Sequence, residues 1–104
     1  MIQNSGKIVV DASKHVDASN RPVTSASLLA AAILTALDGG ENVTVDFSGM
    51  RRISSSYFNV IVAEIVGRFG ADSLDERVSF LFSSQAQQEI FNRSRAAVLA
   101  NIST

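Results

Sequence analysis

The sequence predicts an α/β fold, a small sandwich in which a mixed or mostly parallel sheet of three to four strands packs against about three helices. Short β-branched runs alternate along the chain with longer apolar stripes at helical spacing. The segments between them are short, and such an alternation favours parallel strands joined by right-handed crossovers. With 104 residues, of which 46% are hydrophobic, the chain suits a single domain over residues 1–104.

The first strand is predicted at residues 7–11, after a polar stretch, residues 1–6, that we expect to be frayed. Residues 12–22 are polar and include the only histidine, His15, and the only proline. Val16 leaves room for a second, weak strand in this segment.

The first helix is predicted to begin at an N-cap among residues 24–27, because serine and threonine hydroxyls accept hydrogen bonds from the first free amides of a helix. Gly39 and Gly40 end it, since glycine adopts the left-handed conformation without strain. A strand follows at residues 42–47. Its more apolar face consists of Val43, Val45 and Phe47.

The second helix has the most regular apolar stripe in the chain. It opens on Ser54, Ser55 and Ser56, each an N-cap candidate, and ends at Gly70. The stripe follows the spacing i, i+3, i+4, i+7, i+8, i+11 and comprises Phe58, Ile61, Val62, Ile65, Val66 and Phe69.

An acidic loop is predicted at residues 71–76, followed by a strand at residues 78–82 with alternating apolar residues. Ser83 or Ser84 caps a last helix, which runs to about Asn101. Arg93 and Arg95 place two positive side chains on this helix, where such residues more often solubilise the outer face than bind a ligand.

Composition excludes several classes of function. Cysteine is absent, so disulfides, thiol catalysis and thiolate metal sites are excluded. We expect a cytoplasmic protein, because the sequence shows neither a secretory leader nor an apolar run long enough to span a membrane. The net charge of −1 gives no general attraction to nucleic acid or to anionic lipid. Neither is therefore expected as a partner.

No catalytic constellation is visible. His15 has no nucleophile or acid beside it in the sequence, and there is no G-x-S-x-G elbow, P-loop or dinucleotide fingerprint. Asp46 ends a strand, where a phosphorelay acceptor would lie, but a metal-binding acidic cluster is missing and a structural aspartate is favoured. We therefore predict no enzyme, no cofactor and no metal site.

The three serines are the strongest local signal for a site. Free amides and a partial positive charge at a helix N-terminus stabilise an anion, and Arg51 and Arg52 precede them as countercharges for a phosphate on a serine. The commoner role of such a serine is an ordinary N-cap, and turn arginines are more often solvated. The same helix start is alternatively an anion site for a small ligand or nucleotide.

The stretch Val43 to Ile65 resembles the central strand–turn–helix of STAS domains, the fold of bacterial anti-sigma-factor antagonists. In those proteins Asp-Ser-Ser-Gly opens an apolar helix. Ser54 stands in the place of the aspartate, Ser55 in that of the phosphorylated serine and Tyr57 in that of the glycine.

The sequence is more similar to a variant family, the STAS-like domains of unknown function, over residues 20–101. The similarity is carried by residues 45–50 and 53–58 and by the upstream segment 21–27. The resemblance implies a non-enzymatic bacterial regulatory module, monomeric or weakly dimeric. Its implied partner is a protein, such as a histidine-kinase-like ATPase or an anti-sigma-type kinase.

Within this resemblance, the strand–turn–helix is the expected docking face. Phosphorylation of Ser55, or of its neighbours Ser54 and Ser56, would gate the contact by adding charge. The residues expected to bind the partner or an anion are Arg51, Arg52, Tyr57 and Asn59.

Overall fold

Three parallel strands form one sheet in the computed structural model, which describes residues 7–19, 21–50 and 53–102. The strands are β1 Lys7–Asp11, β2 Asn42–Asp46 and β3 Val78–Leu81. The α-helices within these residues are α1 Pro22–Asp38, α2 Ser55–Phe69, α3 Ala71–Arg77 and α4 Gln85–Ile102. The predicted α/β fold is confirmed. Residues 1–6, expected to be frayed, lie outside the described part of the chain.

β2 is the central strand of the sheet and pairs in parallel with β1 and with β3. In register, Val45 lies between Val10 and Phe80. Val43, one pleat earlier, shares its face of the sheet, and both valines are buried. This row of side chains forms the floor of the hydrophobic core.

The helices form one layer, with α2 between α1 and α4. The strand order β1-β2-β3 requires two crossovers in the same direction, and right-handed crossovers then place α1 and α2 on the same face of the sheet. The opposite face bears two exposed apolar side chains, Val9 and Leu81. The apolar stripe of α2 packs on the sheet and on its neighbours, and the side chains fully buried there are Phe58, Ile61, Val62 and Ile65. No helix in the described residues is long and apolar enough to cross a membrane.

α1 begins earlier than predicted, at Pro22, and Arg21 in the N-cap position makes no side-chain capping bond. Proline suits the first helical position because it lacks an amide hydrogen that would need an acceptor. Ser25, an N-cap candidate from sequence, instead lies inside the helix, and its Oγ accepts a hydrogen bond from the amide of Asp17 at 2.8 Å. The end of the helix is as predicted, with Gly40 at a φ of 85°.

The weak strand proposed around Val16 is not formed. A 3-10 helix, Ala12–Lys14, follows β1 instead, and Val16 lies in irregular backbone. Asp11 caps this helix, because its Oδ1 accepts hydrogen bonds from Ser13 Oγ at 2.7 Å and from Ser13 N at 3.0 Å. Those bonds, the side-chain one first, lower the pKa of Asp11 below its usual value. The local hydrogen bonds of this polar segment thus favour a turn over a strand.

The acidic segment predicted as a loop is helix α3. It follows Gly70, which ends α2 as predicted and has a φ of 92°. Leu74, only 2% exposed, is its one buried side chain. At its end, Arg77 Nη2 donates hydrogen bonds to the carbonyl oxygens of Leu37 and Glu41, each at 2.9 Å. These contacts fasten α3 to the last turn of α1 and to the connection that follows it.

Candidate docking site at the start of α2

The side chains of two of the three serines are engaged with the helix start itself. Ser54 is the N-cap of α2, and its Oγ accepts a hydrogen bond from the amide of Tyr57 at 3.3 Å. Ser54 Oγ also lies 3.0 Å from Ser56 Oγ, within hydrogen-bonding distance. The N-cap role predicted for this triplet is therefore confirmed for Ser54.

Ser55 is placed differently. Its side chain is exposed and makes no hydrogen bond to any residue in the described part of the chain. It faces a cavity of about 440 Å³ between α2 and α4. The cavity is lined by Ser55, Asn59, Ile90, Arg93, Ser94 and Ala97.

A second cavity, of about 330 Å³, continues this depression along the two helices. The two cavities share Asn59 and Ala97, and we refer to them together as the α2–α4 groove. The second cavity is lined by Asn59, Ala63, Ala97, Val98 and Asn101. The small side chains of Ala63 and Ala97 leave room in the groove for side chains of another molecule.

Ser94 joins the two walls of the groove. It is only 2% exposed, and its Oγ donates a hydrogen bond to the carbonyl oxygen of Ser55 at 3.1 Å. A polar side chain buried at a helix–helix contact is stabilised when it is hydrogen-bonded in this way. The bond fixes the middle of α4 against the first turn of α2.

Arg93 supplies the positive charge of the groove. The sequence indicated that Arg93 and Arg95 both solubilise the outer face of the last helix. Arg95 pairs at the surface with Asp75, at 2.6 Å. Arg93 lines the groove with Ser55 and makes no ion pair or hydrogen bond with any described residue. The packing of α4 on α2 brings Arg93 close to Ser55. No pattern in the sequence indicates that these two residues are neighbours.

Tyr57 does not lie on the docking face where the sequence analysis placed it. Its side chain is only 3% exposed, and its ring packs edge-on against Phe47 and Phe58, at centroid distances of 6.2 and 5.8 Å. A ring held in the core offers no surface to a partner. The sequence carried a signal for this, because Tyr57 precedes Ile61 and Ile65 by four and eight residues and so extends the buried stripe.

The hydroxyl of Tyr57 is buried and has no hydrogen-bond partner among the described residues. Burial raises the pKa of Tyr57 to about 12, because the phenolate would lose its hydration. A buried hydroxyl without a partner costs free energy that a phenylalanine ring would not.

We expect Tyr57→Phe to leave the domain equally stable or up to about 1 kcal/mol more stable at neutral pH. Tyrosine in the unfolded chain ionises near pH 10, whereas Tyr57 in the folded chain keeps its proton to about pH 12. Ionisation of Tyr57 therefore does not affect the stability of the parent protein below about pH 10. As the pH rises toward 12, the unfolded chain loses this proton before the folded chain does, and the stability falls. Urea unfolding of both proteins at about pH 8 and about pH 11 measures this. Equal losses of stability at high pH in the two proteins would contradict the assignment.

Asn59 is exposed and lines both parts of the groove. Arg51 and Arg52 lie outside the described residues. Asp46 accepts a hydrogen bond from the amide of Ser48 at 2.8 Å and so stabilises the turn after β2. No group of three or more histidine, aspartate or glutamate side chains among the described residues is placed to hold a metal ion.

The parallel sheet, the single helical layer and the serine-capped central helix define a small α/β domain. Residues 25–87 match the family described as STAS-like domain of unknown function (DUF4325), and the chain belongs to this family. The predicted family is thus confirmed. No curated protein and no solved structure was found to match the chain. The matched segment contains Ser55 and Asn59 but ends before Arg93 and Ser94.

Proposed function

We propose that this domain is a non-enzymatic regulatory module that docks a protein partner at the first turns of α2 and in the α2–α4 groove. Phosphorylation of Ser55 would prevent the contact. One observation carries the proposal: of the three serines, Ser55 is the one that lines the groove and whose exposed side chain makes no hydrogen bond within the described part of the chain.

The hydrogen bonds of the serine triplet favour Ser55 as the acceptor. A kinase needs a hydroxyl that is accessible and free to approach the nucleotide. Phosphorylation of Ser54 would place the phosphate on the hydroxyl that caps α2, and loss of a serine cap costs about 1 kcal/mol. Ser55 can be modified without loss of that bond.

Phosphorylation of Ser55 would prevent docking because of the charge of the phosphate. A phosphoserine carries a charge of about −1.5 to −2 at neutral pH and three strong acceptor oxygens. In the groove it would lie beside small and apolar side chains such as Ala97 and Ile90. A partner packed on these would have to remove the phosphate from water, which is costly for an unpaired charge.

The partner class to test first is the histidine-kinase-like ATPase, which the family resemblance suggests. Stable protein interfaces bury about 800 Å² on each partner. The groove would then form the centre of a larger contact that extends over the exposed first turn of α2.

We expect Ala97→Arg to weaken binding of such a partner at least about tenfold, since the new side chain fills the groove. The matched control is Ala31→Arg, the same change at an exposed position of α1, which lies on the other side of α2. Affinities are measured by titration calorimetry with purified ATPases from the same genome, identified by crosslinking to the domain. Equal affinities of the two variants would exclude the groove as the docking site.

The gate is tested separately. Peptide mapping of the protein purified from its own cells is expected to find phosphate on Ser55. The phosphorylated protein is expected not to bind the partner, whereas the unphosphorylated Ala31→Arg variant binds it. Protein that is unmodified at Ser55 under every growth state would contradict the gate, while the docking result would stand.

A further inference from the structure

We propose that Arg93 binds the phosphate of phosphorylated Ser55 within the same molecule, so that the bound phosphate obstructs the α2–α4 groove. The inference rests on the proposed function in one respect, namely that Ser55 is phosphorylated. The contact itself involves only residues of this chain.

The hydrogen bond between Ser94 and Ser55 fixes the geometry. Ser94 Oγ reaches the carbonyl oxygen of Ser55 at 3.1 Å, so the backbone of α4 at this point lies within one side-chain length of the start of α2. Arg93 is adjacent to Ser94 in the chain and lines the same cavity of about 440 Å³ as the side chain of Ser55. A phosphate on Ser55 therefore extends into a space bordered by the Arg93 side chain.

Among the described arginines, Arg93 is the one that makes no ion pair or hydrogen bond. The other described arginines are committed to acceptors within the fold, namely Arg21 to Asp17, Arg68 to Asp38, Arg77 to two carbonyl oxygens and Arg95 to Asp75. Among the described residues that line this cavity, no other is charged. Arginine is the side chain best suited to phosphate, because its planar fork donates two parallel hydrogen bonds to two phosphate oxygens.

The contact changes how the gate works. A phosphate free in solvent would act on a partner only through its charge. A phosphate held by Arg93 lies in the space lined by Asn59 and Ala97. The arginine neutralises part of the charge of the phosphate. The paired phosphate and guanidinium then obstruct the part of the groove beside Ser55, so that a side chain of a partner cannot enter it there.

The test uses the full chain with phosphoserine incorporated at position 55 during synthesis, so that no kinase is needed. We follow the second ionisation of the phosphate by phosphorus NMR. A neighbouring arginine favours the dianion, and the phosphate pKa is expected to lie below the usual value of about 6. Arg93→Ala is expected to raise it by about half a unit or more. Arg95→Ala, which removes the neighbouring but paired arginine, is expected to leave it unchanged.

Because Arg93 is exposed and unpaired among the described residues, its removal is not expected to disturb the fold, and amide spectra of the unphosphorylated variants verify this. Arg93→Lys is expected to give an intermediate pKa, since lysine keeps the charge and loses the fork. The same phosphate pKa in the phosphoserine protein and in its Arg93→Ala variant would overturn the inference. Such a result would leave the docking proposal intact. Conversely, if Ser55 is never phosphorylated in cells, regulation of docking by phosphorylation is contradicted, while the contact between Arg93 and the phosphate measured by NMR would still hold.

Discussion

Phe58→Ala is expected to lower the free energy of unfolding by about 3–5 kcal/mol. Phe58 is fully buried on α2 and contacts the rings of Phe47, which directly follows β2, and of Phe91 on α4. Its centroid lies 5.3 Å from that of Phe47 and 5.3 Å from that of Phe91, both edge-on. The substitution removes these contacts and leaves a cavity where the sheet and two helices meet. Domains of this size have a total stability of about 5–15 kcal/mol, so much of it would be lost.

Urea unfolding followed by circular dichroism measures this effect. The matched variant is Phe58→Leu, which keeps most of the buried volume and is expected to lose clearly less stability than the alanine variant. A loss below about 1 kcal/mol for Phe58→Ala would show that the ring cluster does not form the centre of the core.

Arg77→Ala is expected to cost about 2 kcal/mol, because charged donors form the stronger hydrogen bonds of proteins. Its guanidinium joins the last turn of α3 to the carbonyl oxygens of Leu37 and Glu41. Leu37 lies in the last turn of α1 and Glu41 in the connection to β2, so the substitution would remove the hydrogen bonds that hold the end of α3 to both. The measurement is again urea unfolding, with hydrogen exchange of the α3 amides as a local readout.

Arg68→Ala provides the control for Arg77→Ala. Both guanidiniums lie over the ring of Phe69, at 5.9 Å for Arg68 and 5.7 Å for Arg77, so this contact is common to the two. Arg68 otherwise makes an exposed ion pair with Asp38, and such pairs contribute about 0–1 kcal/mol. If both variants lose the same stability, the carbonyl contacts of Arg77 are not what fastens α3.

The sequence predicted the parts of the fold that have a long local pattern. The stripe from Phe58 to Phe69 spans about three helical turns, and the glycine that follows it matches the observed end of α2. α3 escaped prediction because seven residues with one buried leucine, Leu74, carry no periodic signal. Its helix depends on contacts with α2 and on the distant acceptors of Arg77.

The candidate site divides in the same way. The serines before α2 could be identified from sequence, because an N-cap and an apolar stripe lie on one continuous segment. The difference between Ser55 and its neighbours is a matter of side-chain hydrogen bonding, which the triplet alone does not encode. Arg93 was placed on the solvent face because the sequence does not state which side of α4 meets α2.

The order of the strands in the sheet is their order in the chain, and α1 packs beside α2. Each pair of neighbouring strands is joined by a helical connection, so that paired residues such as Lys7 and Asn42 are distant in the chain. The two walls of the α2–α4 groove are likewise separated along the chain, by α3 and β3. The groove exists only in molecules that have also made this distant contact. A partner that recognises the groove thus selects completely folded copies of the domain and ignores partly folded ones.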